Sequence, residues 1–208
     1  MHPFSPLVPI IHMNVRYFEV SSGEQWFGGG IDLTPIYVDP AQAQYFHQQI
    51  KHTCDLHDHT YYETFKKGAD DYFFIKHRNE TRGVGGVFFD RLGATADISL
   101  YQRFEFVKDI GNIFAPIYTK FMEENKDISY GKGEKQFQAI RRGRYVEFNL
   151  VYDKGTKFGL DTDGRTESIL MSMPPDANWL YNYQPLPGSK EAATLAYLRK
   201  DVDWIGVA

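Results

Sequence analysis

Hydrophobic and polar residues alternate most regularly between Ile10 and Val20, in the stretch "IIHMNVRYFEV". Because the side chains of a β-strand point alternately to its two faces, this pattern predicts a strand with two different surfaces. One face would carry Ile11, Met13, Val15 and Tyr17, and the other would carry His12, Asn14, Arg16 and Phe18. The polar side chains of this strand are therefore expected to lie together on one surface of a sheet.

A hairpin and a helix are predicted directly after this strand. "SSGEQ" has the composition of a turn, and "WFGGGIDLTP" reads as a glycine-rich second strand that holds Asp32. Asp39 followed by Pro40 is typical of a helix start, and the helix should continue through "AQAQYFHQQIKHTCDL". His47 lies beside its apolar stripe, which recurs every four residues at Phe46, Ile50 and Cys54.

The rest of the chain predicts a mixture of helices and short strands. We expect a helix over about Tyr61 to Phe74, the strand "GGVFFD", and a long helix from near Ser99 toward Lys126 that bends or breaks at Pro116. "RRGRYVEFNLVYD" and "RTESILMSMP" read as strands separated by the turn "KGTKFG", and "SKEAATLAYLRK" as a last helix capped by Ser189. Short strands joined by hairpins favour an antiparallel sheet covered by helices, so residues 1–208 are predicted to form a single α+β domain.

Composition narrows the functional classes. The net charge is −4, so sequence-independent binding to nucleic acid, which needs clustered Lys and Arg, is not expected. Cys54 is the only cysteine, which excludes an internal disulfide and a cysteine metal cluster and predicts a reducing compartment such as the cytoplasm. The first stretch, "MHPFSPLVPIIH", lacks the basic and long apolar segments of a signal peptide or a membrane span.

The stretch "HRNETRGVGGVFFD", from His77 to Asp90, places three glycines before a short apolar run. A dinucleotide-binding turn has the opposite order, with glycines after a strand and at the start of a helix. Glycines at a strand entrance more often mark a bulge or the close approach of a ligand or another backbone. The chain also contains no P-loop, serine-hydrolase elbow or Cys-x-x-Cys motif. Phosphate transfer and serine hydrolysis therefore have no support.

Arginines, histidines and one aspartate supply the candidate chemistry. Arginines cluster in "HRNETR" and "RRGRY", with Arg165 in "DGRTES", and a guanidinium pairs with a carboxylate through two parallel donors, which favours a ligand with several carboxylates. For Arg141, an ordinary ion pair near a helix end is the better interpretation. Asp32, which follows three glycines, could contact a ligand or hydrogen-bond its own turn. Four histidines from different segments could share one site or remain separate: His2, His12, His47 and His77.

In five stretches the chain resembles the oxygen-dependent coproporphyrinogen III oxidase family. The residues of these stretches are more similar to the bacterial branch of the family than to the animal one. They are "HMNVRYFEV", "WFGGGIDLTP", "YYETFKKGADDYFFIKHRNETRGVGGVFFD", "RRGRYVEFNLVYDKGTKFGL" and "GRTESILMSMPP". The resemblance implies a large flat antiparallel sheet between two layers of helices. It also implies oxidative decarboxylation of coproporphyrinogen III to protoporphyrinogen IX in haem biosynthesis, with molecular oxygen as co-substrate, a divalent metal such as manganese, no flavin, haem or NAD, and a homodimer.

The resemblance also implies roles for individual residues. His12 would be the proton donor, and Asp32 and Asp153 would engage the macrocycle in catalysis. The implied substrate-binding positions are Asn14, Val15, Arg16, Arg82, Asp163, Gly164 and Arg165, with His77 and its neighbouring glycines lining the cleft. The implied metal ligands are His2, His12, His47 and His77. The implied dimer contacts lie between Tyr145 and Trp179.

Two departures from the family pattern bear on activity. Asp163 stands where bacterial members commonly have glycine, which adds negative charge beside an anionic substrate. The chain starts at Met1, whereas family members first carry a helical segment with a substrate-contacting serine. A second hypothesis therefore stays open, that of a porphyrin-binding or partner protein without catalytic activity.

Overall fold

The computed structural model describes residues 1–206, and its centre is a three-stranded antiparallel sheet in the order β1, β2, β5. The strands are β1 (Ile10–Glu19), β2 (Gln25–Thr34) and β5 (Gly85–Gly93). The turn between β1 and β2 needs Gly23, whose φ is +87°. The predicted hairpin is confirmed, and its register sets His12 opposite Asp32 and Arg16 opposite Gly28.

One face of the sheet is covered by three helices and forms the main core. These helices are α1 (Pro40–Asp55), α2 (Tyr61–Tyr72) and α3 (Leu100–Asn112). The Asp39 carboxylate accepts a hydrogen bond of 2.8 Å from the backbone amide of Ala41, so α1 begins where the sequence predicts. The core joins apolar side chains of the sheet to the helix faces: Ile11, Ile31, Leu33, Val87 and Phe89 with Phe46, Ile50, Phe106 and Ile110.

The predicted long helix is divided into α3 and α4 (Phe114–Asn125). The helices part at Ile113, which is the C-cap of the first and the N-cap of the second. Pro116 therefore falls in the first turn of α4, where a missing amide hydrogen costs no hydrogen bond within the helix. The predicted break is confirmed, and it lies three residues before the proline.

Three predicted elements near the end of the chain are wrong. "RRGRYVEFNLVYD" belongs to the helix α5 (Lys132–Val151), "KGTKFG" to the helix α6 (Lys154–Asp161), and "RTESILMSMP" to the short helix α7 (Thr166–Leu170) and the turn after it. The β-branched and aromatic residues favour a strand locally, but α5 buries a helical face that contains Phe137, Ile140, Tyr145 and Phe148. Packing against distant residues outweighs local preference here.

The α+β class is confirmed, and two small elements complete the described chain. A short ladder pairs β3 (Phe74–Ile75) with β4 (Glu80–Thr81). The predicted last helix is confirmed as α8 (Lys190–Tyr197), with the Ser189 hydroxyl accepting from the Ala192 amide at 3.2 Å. None of the helices within residues 1–206 is both long enough and apolar enough to cross a membrane.

Candidate functional site

On the second face of the sheet, polar side chains of β1 lie next to glycine positions of β2, which have no side chains. His12, Asn14 and Arg16 project from β1, as the alternation predicts, and the neighbouring strand offers Gly30 and Gly28 opposite Asn14 and Arg16. The Arg16 guanidinium donates to the side-chain amide oxygen, Oδ1, of Asn14 at 2.8 Å. An added Cβ at Gly28 would lie 3.0 Å from an Arg16 nitrogen. Gly28 and Gly30 therefore leave a flat surface without side chains, called the glycine floor below, over which the Arg16 side chain extends. Val15 belongs to the opposite face of the strand.

Asp32 and His12 form a hydrogen-bonded pair at one end of this floor. Asp32 is only 3% exposed, and its Oδ1 lies 3.3 Å from His12 Nδ1. A carboxylate can only accept, so His12 must donate through Nδ1 and turn Nε2 away from Asp32. The His12 side chain is 41% exposed. His12 is therefore the member of the pair that a ligand on the floor can reach.

Arg82 holds the other oxygen of Asp32. Its Nη2 donates to Asp32 Oδ2, and the guanidinium lies over the rings of Phe73, Tyr145 and Phe148 at 4.3, 4.7 and 4.8 Å from their centroids. Burial opposes the ionisation of Asp32, but the charge of Arg82 and the hydrogen bond from His12 outweigh it and keep the pKa of Asp32 below its ordinary value. Arg82 is itself only 3% exposed. In this structure it orients Asp32 and is not open to a substrate.

His77 belongs to a different group, centred on Glu147 of α5. Its Nε2 lies 2.9 Å from Glu147 Oε2 and its Nδ1 lies 2.8 Å from the Tyr152 hydroxyl. Arg78 donates twice to the same carboxylate, at 2.9 and 2.6 Å, and the Trp179 indole donates at 2.9 Å. Burial opposes ionisation, yet the hydrogen bonds from Arg78 and His77 and the charge of Arg144 lower the pKa of Glu147 to about 2. Glu147 thus joins α5 to the turn after β3 and to the chain near Trp179.

Asp153 caps a helix near Arg82. Its carboxylate accepts from the Thr156 amide at 2.7 Å and from the Tyr72 hydroxyl at 2.8 Å. Its negative charge also contributes to the raised pKa of Arg82, in which burial is opposed first by Asp32. The structure therefore places Asp153 beside the Arg82 group, with both of its oxygens already hydrogen-bonded.

The loop from Asp163 to Arg165 is exposed and joins α6 to α7. Asp163 has a φ of +58°, a conformation that favours glycine. The Gly164 amide donates to the carbonyl of Gly159 at 2.9 Å, which is the hydrogen bond of a Schellman helix end. The link from α7 to the Arg82 group runs through His2, whose Nε2 lies 2.7 Å from the Ser172 carbonyl and whose ring meets Tyr145 edge-on at 4.7 Å.

The four histidines do not assemble into one metal site. Each is bound into its own surroundings, and no three His, Cys, Asp or Glu side chains within residues 1–206 are placed to hold an ion. His47 is fully buried, with Nδ1 3.0 Å from the Tyr62 hydroxyl and Nε2 2.9 Å from the Val84 carbonyl. Because both of its ring nitrogens already have partners, His47 does not fit the role of a ligand. The expected convergence of the four is absent from this part of the chain.

Sequence reasoning missed the aromatic cage of Arg82 and the hub at Glu147. Both depend on α5, and the sequence pattern of that segment predicts a strand. At helical spacing, Arg141, Tyr145 and Phe148 fall on one face of the segment, and this signal was available in the sequence. Arg141 pairs with Glu80 at 2.8 Å. Arg141 is thus an ion-pair partner, as interpreted, but the expected solvated helix end is wrong, because Arg141 is buried in the middle of α5.

The chain is similar to known proteins along nearly its whole length. The family model described as Coproporphyrinogen III oxidase matches residues 1–204. The "Oxygen-dependent coproporphyrinogen-III oxidase" of Francisella philomiragia is 51% identical over 209 residues, which cover 99% of this chain and 67% of the relative. The protein of the same name from Francisella tularensis subsp. holarctica shows the same identity and coverage.

An animal relative is equally similar. The "Oxygen-dependent coproporphyrinogen-III oxidase" of Drosophila melanogaster is 50% identical over 210 residues, which cover 99% of this chain and 53% of the relative. These identities do not separate a bacterial from an animal branch. The chain spans about two thirds of the bacterial relatives and about half of the insect one. A family match over residues 1–204 and identities near one half show that the chain belongs to the coproporphyrinogen III oxidase family.

Proposed function

We propose that this protein is an oxygen-dependent coproporphyrinogen III oxidase, which converts two propionate side chains of coproporphyrinogen III to vinyl groups in haem biosynthesis. The observation that carries the proposal is the glycine floor beside the His12, Asp32 and Arg82 group. Strand positions without side chains leave space for a large macrocycle to lie against the sheet, and relatives about half identical to this chain bear the name of the enzyme.

Arg16 and Asn14 are proposed to hold a propionate of the substrate. Arg16 is the guanidinium on the open floor, and Asn14 fixes its position through the hydrogen bond of 2.8 Å. Arg–carboxylate pairs with two parallel hydrogen bonds orient a substrate as well as bind it. The exposed loop from Asp163 to Arg165 is proposed to reach a second propionate through Arg165, with the backbone amide of Val15 as a further donor. The Gly164 amide already donates to the Gly159 carbonyl, so Gly164 is proposed to shape this binding loop.

The proposed chemistry needs a group that transfers a proton near the reacting carbon and a molecule that accepts two electrons. Each propionate becomes a vinyl group when carbon dioxide leaves and the ring-side carbon gives up two electrons and one proton. Molecular oxygen takes the two electrons and needs two protons to become hydrogen peroxide, so one more proton must come from the site. His12 is proposed to supply it through Nε2, because Asp32 engages Nδ1.

Asp32 is proposed to act through His12. Its two oxygens face His12 and Arg82, and its pKa lies below the ordinary value. The resulting negative charge holds the Nδ1 hydrogen of His12 and so orients the imidazole ring, as a buried carboxylate does for a catalytic histidine. Asp153, bound by Tyr72 and Thr156, is proposed to add to the field around Arg82 and not to meet the macrocycle.

Three further properties are proposed for the protein. A homodimer is supported by large apolar side chains left in solvent between Tyr145 and Trp179, such as Phe158, Met171 and Trp179. A cytoplasmic location is supported by Cys54, a buried free thiol that suits a reducing compartment. A manganese ion remains an implication of the resemblance alone, and no step is assigned to it because the histidines do not fit a shared site.

Fluorescence of the porphyrin product tests the proposal. We expect product from coproporphyrinogen III in air and none in anaerobic buffer, since oxygen is the electron acceptor. His12→Gln should lower kcat by about 100-fold or more. His59→Gln is the matched control, because the His59 side chain is 89% exposed and lies away from the floor. A protein that binds the porphyrinogen but yields no product in air, with or without manganese, would instead favour the non-catalytic porphyrin-binding hypothesis.

A further inference from the structure

His47 sits in the core with a single tautomer imposed by its partners. The Val84 carbonyl, 2.9 Å from Nε2, can only accept, so Nε2 must carry the proton. Nδ1 then accepts from the Tyr62 hydroxyl at 3.0 Å. Trp204 stacks on the ring at 6.1 Å between centroids. The ring is fully buried, so its two nitrogens depend on these two partners for their hydrogen bonds.

Val84 lies in the segment that delivers Arg82 to the site. The Val84 amide donates to the Leu33 carbonyl at 3.0 Å, and the Arg82 amide donates to the Phe73 carbonyl at 2.9 Å. The segment is thus tied to β2 and to the end of α2 by its amides. The Val84 carbonyl is not used in those two hydrogen bonds. His47, in α1, binds this carbonyl and so connects the segment to a third element.

The segment tolerates little movement. An added Cβ at Gly83 would lie 2.3 Å from the Leu33 carbonyl oxygen, so the backbone packs directly on β2. Gly85 has a φ of +77°, which favours glycine. With the chain bent this tightly on both sides of Val84, a shift of the Val84 carbonyl moves Arg82, two residues earlier.

We propose that His47 is a positioning residue for the reaction and not a metal ligand: it fixes the Val84 carbonyl, and through it the placement of Arg82 against Asp32. The inference rests on the proposed function only for its effect on catalysis. Arg82 holds the charged form of Asp32, and Asp32 orients His12, so the effect of His47 on the reaction passes through three contacts in series.

Imidazole nitrogen resonances test the first half of the inference without an activity assay. In the full chain, His47 should show a protonated Nε2 and a bare Nδ1. Its resonances should keep their positions and widths when manganese chloride is added. A proton on Nδ1, or selective broadening of the His47 resonances by manganese, would overturn the inference.

Substitutions at His47 test the second half. Glutamine can still donate an amide hydrogen to the Val84 carbonyl, whereas leucine cannot. We expect His47→Leu to shift the Arg82 side-chain resonances and to lower kcat about tenfold with little change in KM, and His47→Gln to restore both. Equal losses in the two variants, or unmoved Arg82 resonances in His47→Leu, would contradict the role.

A matched core variant separates positioning from loss of stability. Ile117→Val, in the buried face of α4, removes one methylene group from the same core. It should lower the unfolding midpoint while leaving the Arg82 resonances in place. Because the resonances are read without substrate, an inactive wild-type protein would contradict the proposed function but would leave the positioning of Arg82 testable.

Discussion

At the scale of single residues, the site depends on which charges are buried and which are open. Asp32 and Arg82 neutralise each other out of solvent, while His12 and Arg16 remain within reach of a ligand. A buried ion pair adds little to stability compared with apolar residues, but losing one partner leaves an uncompensated charge. Arg82 therefore keeps the Asp32 carboxylate ionised and fixed in place beside His12.

Replacement of Arg16 by alanine should weaken substrate capture. Arg16 contacts the exposed side chains of Asn14 and Phe18 and supports no buried group, so the fold should be unchanged. A lost charged hydrogen-bond partner costs about 1.5–3 kcal/mol, which corresponds to a rise in KM of at least about tenfold. Steady-state kinetics with the circular dichroism spectrum as a fold check would measure it. Arg199→Ala, at an exposed arginine near the C-terminus, is the control. Unchanged KM in Arg16→Ala would remove the assigned role.

At the scale of elements, the floor depends on glycines at which an added side chain would meet the neighbouring backbone. An added Cβ at Gly30 would lie 2.3 Å from the Val87 carbonyl oxygen and 3.2 Å from the Phe88 Cα, so β2 and β5 would have to separate. Larger side chains forced into close packing typically cost about 1–3 kcal/mol. Gly30 therefore contributes both to the flatness of the floor and to the close pairing of β2 with β5.

A pair of glycine substitutions tests this directly. Gly30→Ala should lower the free energy of unfolding in urea by about 1–3 kcal/mol. Gly111→Ala, at a helical position in α3 with nothing within 4 Å of an added Cβ, should raise it by about 0.5–1 kcal/mol. If the two substitutions have the same sign, close backbone contact is not the reason for Gly30.

The end of α6 gives a second prediction at this scale. Asp163 adopts the left-handed conformation at φ +58°, so Asp163→Gly should raise the free energy of unfolding by about 0.5–1 kcal/mol. Asp161→Gly, two residues earlier and inside the helix, should lower it by about the same amount. Both changes remove one negative charge, so a difference between them reports backbone conformation. A gain in both variants would point to charge instead.

At the scale of the whole molecule, exposed large apolar side chains recur at short intervals between Leu150 and Leu186. Phe158 is 69% exposed, Met171 79% and Tyr181 fully exposed. When such side chains form one contiguous surface, that surface is uncommon on monomeric proteins and typical of interfaces. Two-fold pairing of one surface with itself is the commonest way to cover it.

Sedimentation at micromolar concentration should therefore show a dimer. The double substitution Phe158→Glu and Met171→Glu should convert it to a monomer, because burying two carboxylates in an apolar interface is unfavourable. Leu56→Glu is the control, at an apolar residue that is 66% exposed beyond the end of α1. A wild-type monomer, or a dimer that survives the double substitution, would refute this interface.

Local patterns in the sequence determined the hairpin, the first helix and the polar strand face. Alternation places His12, Asn14 and Arg16 on one side of β1 wherever that strand packs, and the cap at Asp39 needs only its own next residues. The glycines before "VFFD" were also read correctly as a place of close backbone approach. Each of these features depends on neighbours within a few positions along the chain.

Only the tertiary structure decided how the site is assembled. Asp32 meets Arg82 across 50 positions, His47 meets Val84 across 37, and α5 is a helix because its face packs against residues far away. In the sequence, the four histidines look alike as ligands. In the fold, His12 is open beside a buried carboxylate and His47 is sealed between a hydroxyl and a carbonyl. Burial and partner identity fix what each group can do, and both are properties of the packed chain.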